Sequence, residues 1–209
     1  MKLGTAAAIL ALVSPGSALG HRLDEYLQAT MIKVGKERVE AQVHLTPGVA
    51  VFGHVLAAID IDGDGVISPA EQRAYAERVR GDLSLTFDGR PVRLQLIAAK
   101  FPEIDEMKEG LGDIQLDFSA EVPGGAAERS LVFENHHQSP IAVYLVNCLA
   151  PGEAGLRVVS QSRSYDQSLY QVNYVQEGLR AGWSGGCGWF VGLLLLARLA
   201  TLWWREQES

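Results

Sequence analysis

The chain has 209 residues, 47% of them hydrophobic and 21% charged, with a formal net charge of −7. That apolar share supports a sizeable core and excludes a largely disordered chain. Apolar residues concentrate at both ends, and residues 21–181 between them hold 15 Lys and Arg against 23 Asp and Glu. So acidic a body disfavours nucleic acid and anionic membrane surfaces, because phosphates are bound by clustered cations. It suits cations instead.

The N-terminus reads as a secretory signal over residues 1–20. Lys2 supplies a short positive region, Thr5–Val13 is apolar but too short to span a bilayer, and Ala18-Leu19-Gly20 places small residues at a cleavage site. His21 is then the first mature residue.

Strands follow by period-2 alternation. Tyr26–Val34 leads through Gly35-Lys36 into a second strand, where Val39, Ala41, Val43 and Leu45 alternate with Glu40, Gln42, His44 and Thr46. Leu83–Phe87 and Val92–Ala98 flank Asp88-Gly89, a hairpin signal. Ile114, Leu116 and Phe118 alternate with polar residues. Leu131–Phe133, Tyr144–Leu149, Leu156–Ser160 and Leu169–Val175 supply further strands, punctuated by Pro123-Gly124-Gly125 and Pro151-Gly152. About nine short strands separated by turn signals predict an antiparallel β-sandwich or barrel.

Residues 49–80 break that period. Phe52, Val55, Leu56 and Ile59 fall at helical spacing, and Pro69–Arg80 reads as a second helix capped by Ser68, with Glu71 three residues on. Between the helices, residues 60–71 read Asp-Ile-Asp-Gly-Asp-Gly-Val-Ile-Ser-Pro-Ala-Glu, the twelve-residue EF-hand pattern. Asp60, Asp62 and Asp64 take the first, third and fifth loop positions, and Gly65 sits at the sharp turn. Val66 offers a backbone carbonyl, Ser68 a ligand through water, and Glu71 a bidentate carboxylate. Calcium takes six to eight hard oxygen ligands at about 2.3–2.6 Å, which this donor set supplies. Ile67, at the eighth position, is the residue that pairs with a second loop in paired EF-hands. The sequence has no second loop of this type, so a structural, non-sensing calcium site is expected.

The five histidines are His21, His44, His54, His136 and His137. A free α-amine beside the His21 imidazole forms a pair that chelates copper or nickel, and His136-His137 follows a strand. These three residues are the alternative metal site, a transition-metal one. His44 is expected on the polar side of its strand and His54 on a helix surface. Glu103-Ile104-Asp105-Glu106 and Glu109 could offer paired carboxylates but read as a solvated loop or helix face. The sequence has no Gly-x-Ser-x-Gly elbow, phosphate loop or His-Glu-x-x-His motif, and no enzymatic reaction is expected of it.

Gly182–Trp204 is 23 residues long with Arg198 as its only charge, long enough for one transmembrane helix. Arg198 lies where it can snorkel, Trp203 and Trp204 suit an interfacial belt, and residues 205–209 form a cytoplasmic tail. Gly185-Gly186-Cys187-Gly188 also fits the motif that precedes a cleavable sorting tail. Cys148 and Cys187 are the two cysteines and are expected as free thiols, Cys148 packed as a small hydrophobe.

Four segments together carry a family resemblance: His-Arg-Leu-Asp-Glu-Tyr from residue 21, the strand pair leading into one EF-hand, Leu-Ser-Leu-Thr-Phe-Asp-Gly-Arg-Pro-Val from residue 83, and Phe-Glu-Asn-His-His-Gln-Ser-Pro-Ile-Ala-Val-Tyr from residue 133. Over about residues 21–175 the sequence resembles the exported N-terminal β-rich domain of bacterial nickel/cobalt and HupE/UreJ-type transporter proteins. Those proteins continue into six or more spans, whereas one span is read here. The resemblance implies an exported accessory domain that handles metal or docks a polytopic membrane transporter. The combined expectation is a calcium-binding domain (residues 21–181) in the bacterial cell envelope. It is anchored in the inner membrane by residues 182–204 and lies on the periplasmic side.

Overall fold

The computed structural model describes residues 24–149 and 151–177. The signal at 1–20, His21, Cys187, the span at 182–204 and the tail lie outside the described residues. Among the described residues, no helix is long and apolar enough to cross a membrane.

The described residues are mainly β, with two five-stranded sheets and three helices among them. The first sheet contains β1 (Tyr26–Val34), β2 (Arg38–Pro47), β5 (Gln95–Lys100), β6 (Ile114–Glu121) and β8 (Ala142–Cys148), in the order β5-β6-β2-β1-β8. The second contains β3 (Leu83–Phe87), β4 (Arg90–Pro91), β7 (Glu128–Asn135), β9 (Leu156–Arg163) and β10 (Leu169–Gln176), in the order β4-β3-β7-β10-β9. The helices are α1 (Phe52–Ile59), α2 (Pro69–Asp82) and α3 (Ile104–Lys108).

Alternation in the sequence becomes two-sidedness in the sheets. Val39, Ala41, Val43 and Leu45 of β2 are buried while their neighbours face outward. On β6 the buried set is Ile114, Leu116 and Phe118, and on β7 it includes Leu131 and Phe133. Apolar residues from both sheets and from all three helices form one core cluster. α1 contributes Val55 and Ile59, and α2 contributes Tyr75, Ala76 and Val79. Burial of each of Val55, Ile59 and Val79 stabilises the fold by about 1.5–3 kcal/mol at most.

Two features depart from the sequence expectation. Strand β8 lies parallel to β1, with Tyr26 opposite Ala142 and Ile32 opposite Cys148. The loop after β7 crosses between sheets and delivers the chain at the start of β1, where the Tyr26 amide donates to the Ile141 carbonyl at 2.8 Å. A strand entering at that end must run alongside β1. The Asp88-Gly89 hairpin is also far shorter than the flanking apolar runs suggest. Its return strand β4 has two residues, and Pro91 has no amide to extend the ladder. The chain then buries Leu94 and changes sheet as β5. The acidic segment near residue 104 forms a short helix, α3, anchored by the fully buried Met107.

Candidate metal centre

The loop between α1 and α2 is shaped by glycine and by its own carboxylates. Gly63 and Gly65 have φ of +70° and +79°, a left-handed conformation that side chains resist. This turns the chain back on itself around Asp60. The Asp60 carboxylate, 8% exposed, accepts from the Gly63 amide at 2.8 Å and from the Gly65 amide at 3.0 Å.

The far end of the loop is a helix cap. The Glu71 amide donates to the Ser68 hydroxyl at 3.3 Å, and the Ser68 amide donates to Glu71 Oε2 at 2.9 Å. This reciprocal capping box, with Pro69 in the first turn, starts α2. Glu71 Oε1 also accepts from the Ile61 amide at 2.8 Å. One carboxylate therefore ties the second residue of the loop to its last.

Asp60, Asp62 and Glu71 each place a carboxylate oxygen within 4.8 Å of the others. Among the loop carboxylates, that of Asp64 is not one of the three. Asp64 accepts from the Val66 amide at 2.8 Å, and Ser68 is engaged in the cap. Crowding is visible in the electrostatics. The Asp64 amide lowers the Asp62 pKa, but desolvation and the charges of Asp64 and Glu71 together raise it above the ordinary value. Glu71 moves the other way, held down by hydrogen bonds from the Ser68 amide and hydroxyl and from the Ile61 amide. A cation would relieve the like-charge repulsion. The three oxygens are hard donors of the kind calcium takes, so the donor set fits that ion. Ile67 packs its side chain against the core cluster, which gives a lone loop the apolar support a second loop would otherwise supply.

Helix α2 leads from this loop to a buried polar chain. The Tyr26 and Tyr75 hydroxyls meet at 2.7 Å, Tyr75 lies 3.0 Å from His137 Nε2, and His137 Nδ1 lies 2.7 Å from Asp82 Oδ2. Tyr26, Tyr75 and His137 are at most 1% exposed. The His137 backbone is also fixed. Its carbonyl accepts from Gln28 Nε2 at 2.9 Å and from the Tyr144 hydroxyl at 3.0 Å, while its amide donates to Asn135 Oδ1 at 2.9 Å. Asn135 Nδ2 in turn donates to Gln28 Oε1 at 2.9 Å. Desolvation pushes Tyr26 well above the ordinary tyrosine value and Tyr75 up to about 12.

This network was not visible as a site in the sequence, although a partial signal existed. Gln28 and Thr30 occupy β1 positions in phase with Tyr26 and Ile32, so polar groups sit on an apolar face and require partners.

The histidines considered for a transition metal diverge. His136 points outward to Glu134 at 2.9 Å with its side chain 60% exposed. Both ring nitrogens of the buried His137 are engaged by Asp82 and Tyr75. His44 bonds Asp113 at 2.7 Å, and exposed His54 lies 3.3 Å from Gln138 Oε1. Cys148 is a free thiol, partly buried against the core.

Neither a protein-family model, nor a curated protein, nor a solved structure matches this chain.

Proposed function

We propose that the protein is a calcium-binding, membrane-tethered exported domain with a structural or accessory binding role. It has a β-sandwich architecture, antiparallel except where β8 pairs with β1, with an EF-hand inserted at residues 49–80. The observation that carries the reading is the convergence of Asp60, Asp62 and Glu71 oxygens within 4.8 Å, in a twelve-residue loop flanked by helices. Asp60, Asp62, Asp64, the Val66 carbonyl, Ser68 and Glu71 are the ligands, and the ion offsets the repulsion of the loop carboxylates. The loop's role is to brace. Its exit helix is built into the core through Tyr75, Ala76 and Val79, so an ordered loop fixes the start of a helix that both sheets pack on.

The accessory role follows from the resemblance to the exported domain of nickel/cobalt and HupE/UreJ-type transporter proteins. The partner is then a polytopic membrane transporter, met on the periplasmic side of the inner membrane. A transition-metal role is less supported, because His137 has no ring nitrogen to offer and His136 faces away from it.

The test is a calorimetric calcium titration of the full 209-residue chain in mild detergent, with Asp60→Asn beside it. One calcium per chain is expected, with binding abolished in the variant. Absence of binding heat in the parent chain, together with unchanged thermal stability on adding calcium, overturns the reading.

A further inference from the structure

Helix α2 carries two unrelated sets of contacts. Its first turn holds Glu71, the last residue of the acidic loop, and its remaining turns hold Tyr75, Arg78 and Asp82, which surround His137. The direction of the hydrogen bonds in that buried chain can be assigned. A carboxylate is only an acceptor, so His137 Nδ1 carries its proton and donates to Asp82. In a neutral imidazole Nε2 is then an acceptor, so Tyr75 donates to it, and Tyr26 donates to Tyr75. Every proton in the chain has an acceptor.

A second proton on the ring reverses this order. Nε2–H must donate to the Tyr75 oxygen, and Tyr75 must turn its own proton toward Tyr26. The Tyr26 hydroxyl proton is left without a hydrogen bond, because Tyr75 is its only hydrogen-bond partner among the described residues and the nearby Asp113 carboxylate acts on it only through its charge. Tyr26 is 0% exposed, so the orphaned donor carries its full desolvation cost. The least costly relief is separation of α2 from β1. Solvent reaches the dyad at Asp82, whose side chain is 41% exposed.

We propose that His137 is an acid-sensitive latch on helix α2, whose protonation loosens the helix and weakens cation binding by the loop at the helix N-terminus. The cation half rests on the calcium reading above. The latch half stands on the hydrogen-bond chain alone.

The groups facing His137 are few. Asp82, Tyr75 and Arg78 come from α2, Tyr26 from β1 and Tyr144 from β8. On its own side, Glu134 and His136 pair with each other at the surface. Burial lowers the His137 pKa below its ordinary 6.5, Asp82 opposes that shift, and Arg78 adds to it. The unfolded chain therefore takes up the proton first, near pH 6.5, and the folded chain only at lower pH. Native stability from this site is complete above pH 6.5 and declines as pH falls toward the folded value.

The experiment uses the full chain in detergent, with amide exchange of residues 75–79 corrected for intrinsic rates and followed downward from neutral pH without calcium. A calcium titration is run over the same range. Protection is expected to fall through a single-proton transition below about pH 6.5, and calcium affinity is expected to weaken by up to about tenfold per pH unit. His137→Gln should abolish the transition. Asp82→Asn, a change at a partly exposed site, should move it to lower pH, because the ring loses the charge that favours its protonated form. A transition that titrates and moves with Asp82→Asn in a chain that binds no calcium supports the latch and removes the calcium reading. Flat protection, or the same profile in both variants as in the parent chain, overturns the latch. Calcium affinity falling equally in parent and His137→Gln overturns the link between latch and loop.

Discussion

The hydroxyls of Tyr26 and Tyr75 meet at 2.7 Å inside the core, joining the first strand to the helix that leaves the acidic loop. Both rings also lie edge-on to His137, with centroids 6.1 Å and 5.5 Å from its ring. Removing the Tyr75 hydroxyl keeps the ring and its packing but strands two buried groups, the Tyr26 donor and the His137 Nε2 acceptor. Tyr75→Phe is expected to cost about 1–3 kcal/mol. For a chain of this size each kcal/mol lowers the melting temperature by about 2–4 °C. Calorimetric melting above pH 7 checks this, and an unchanged melting temperature would show that the hydroxyl chain contributes no net stability.

Much of this architecture can be read from the strands' alternation and from residues 60–71, because both are local patterns. The faces of β2 and β6 follow directly from period-2 burial, and α2 begins at Ser68 because Ser68 and Glu71 satisfy each other's backbone amides. Contacts set by distant partners were not legible. The parallel pairing of β8 with β1 depends on where the loop after His137 emerges, which no local signal encodes. The Asp88-Gly89 turn predicts a hairpin correctly, but Pro91 and the burial of Leu94 end its ladder after two residues. His137 could be singled out beside His136, yet its partners are 55 and 62 residues away, so its role as a buried acceptor emerges only in the fold. In the loop, spacing nominates six ligands, and the fold brings the carboxylates of three of them, Asp60, Asp62 and Glu71, together.

High pH should unfold the protein through its buried tyrosines. Desolvation holds Tyr75 and Tyr170 up to about 12 and raises Tyr26 well above 10.0. The sign follows from linkage. Above pH 10 the unfolded chain releases these protons while the folded chain retains them, so stability is complete below pH 10 and lost as pH rises toward the folded values. Each buried tyrosine contributes at most about 1.4 kcal/mol per pH unit in that window. Tyrosinate absorbance and circular dichroism, followed together from pH 9 to 12, should show a late ionisation step coincident with unfolding. If these tyrosines ionise with the fold intact, the assigned burial is wrong.

The Asp88 turn is held from inside. Asp88 has φ of +51°. It accepts from the Ser130 amide at 2.9 Å and from Arg129 Nε at 2.8 Å. Arg129 is 1% exposed at the side chain, donates to the Pro123 carbonyl at 2.8 Å, and lies over the Phe87 ring at 5.7 Å. Asp88→Ala leaves a buried guanidinium short of its counter-ion in a conformation alanine resists, and is expected to cost about 1–3 kcal/mol. Asp88→Asn keeps one acceptor and tolerates the positive φ, so its cost should be about half. Adding Arg129→Met to Asp88→Ala should recover part of the loss, because no uncompensated charge then remains buried. Urea unfolding of the three variants decides it. If the double variant is no more stable than Asp88→Ala, the turn conformation dominates rather than the charge pair.

Glu71 has two roles that different substitutions can separate. Its carboxylate closes the capping box with Ser68 and is also one of the three converging oxygen donors. Ser68→Ala removes the cap and should destabilise α2 by about 0.5–2 kcal/mol with or without calcium. Glu71→Gln loses one of the two oxygens that accept from the Ser68 and Ile61 amides, which costs some stability with chelator, and loses the negative charge a cation needs, which adds a further loss when calcium is present. At calcium a hundredfold above the dissociation constant, binding stabilises the native state by about 2.7 kcal/mol. At about 2–4 °C per kcal/mol, the parent chain should therefore melt roughly 5–10 °C higher with calcium than with chelator. Ser68→Ala should melt lower under both conditions but keep most of that difference, whereas Glu71→Gln should lose most of it. Equal calcium-induced shifts in the parent chain and Glu71→Gln would place any bound calcium elsewhere than the loop between α1 and α2.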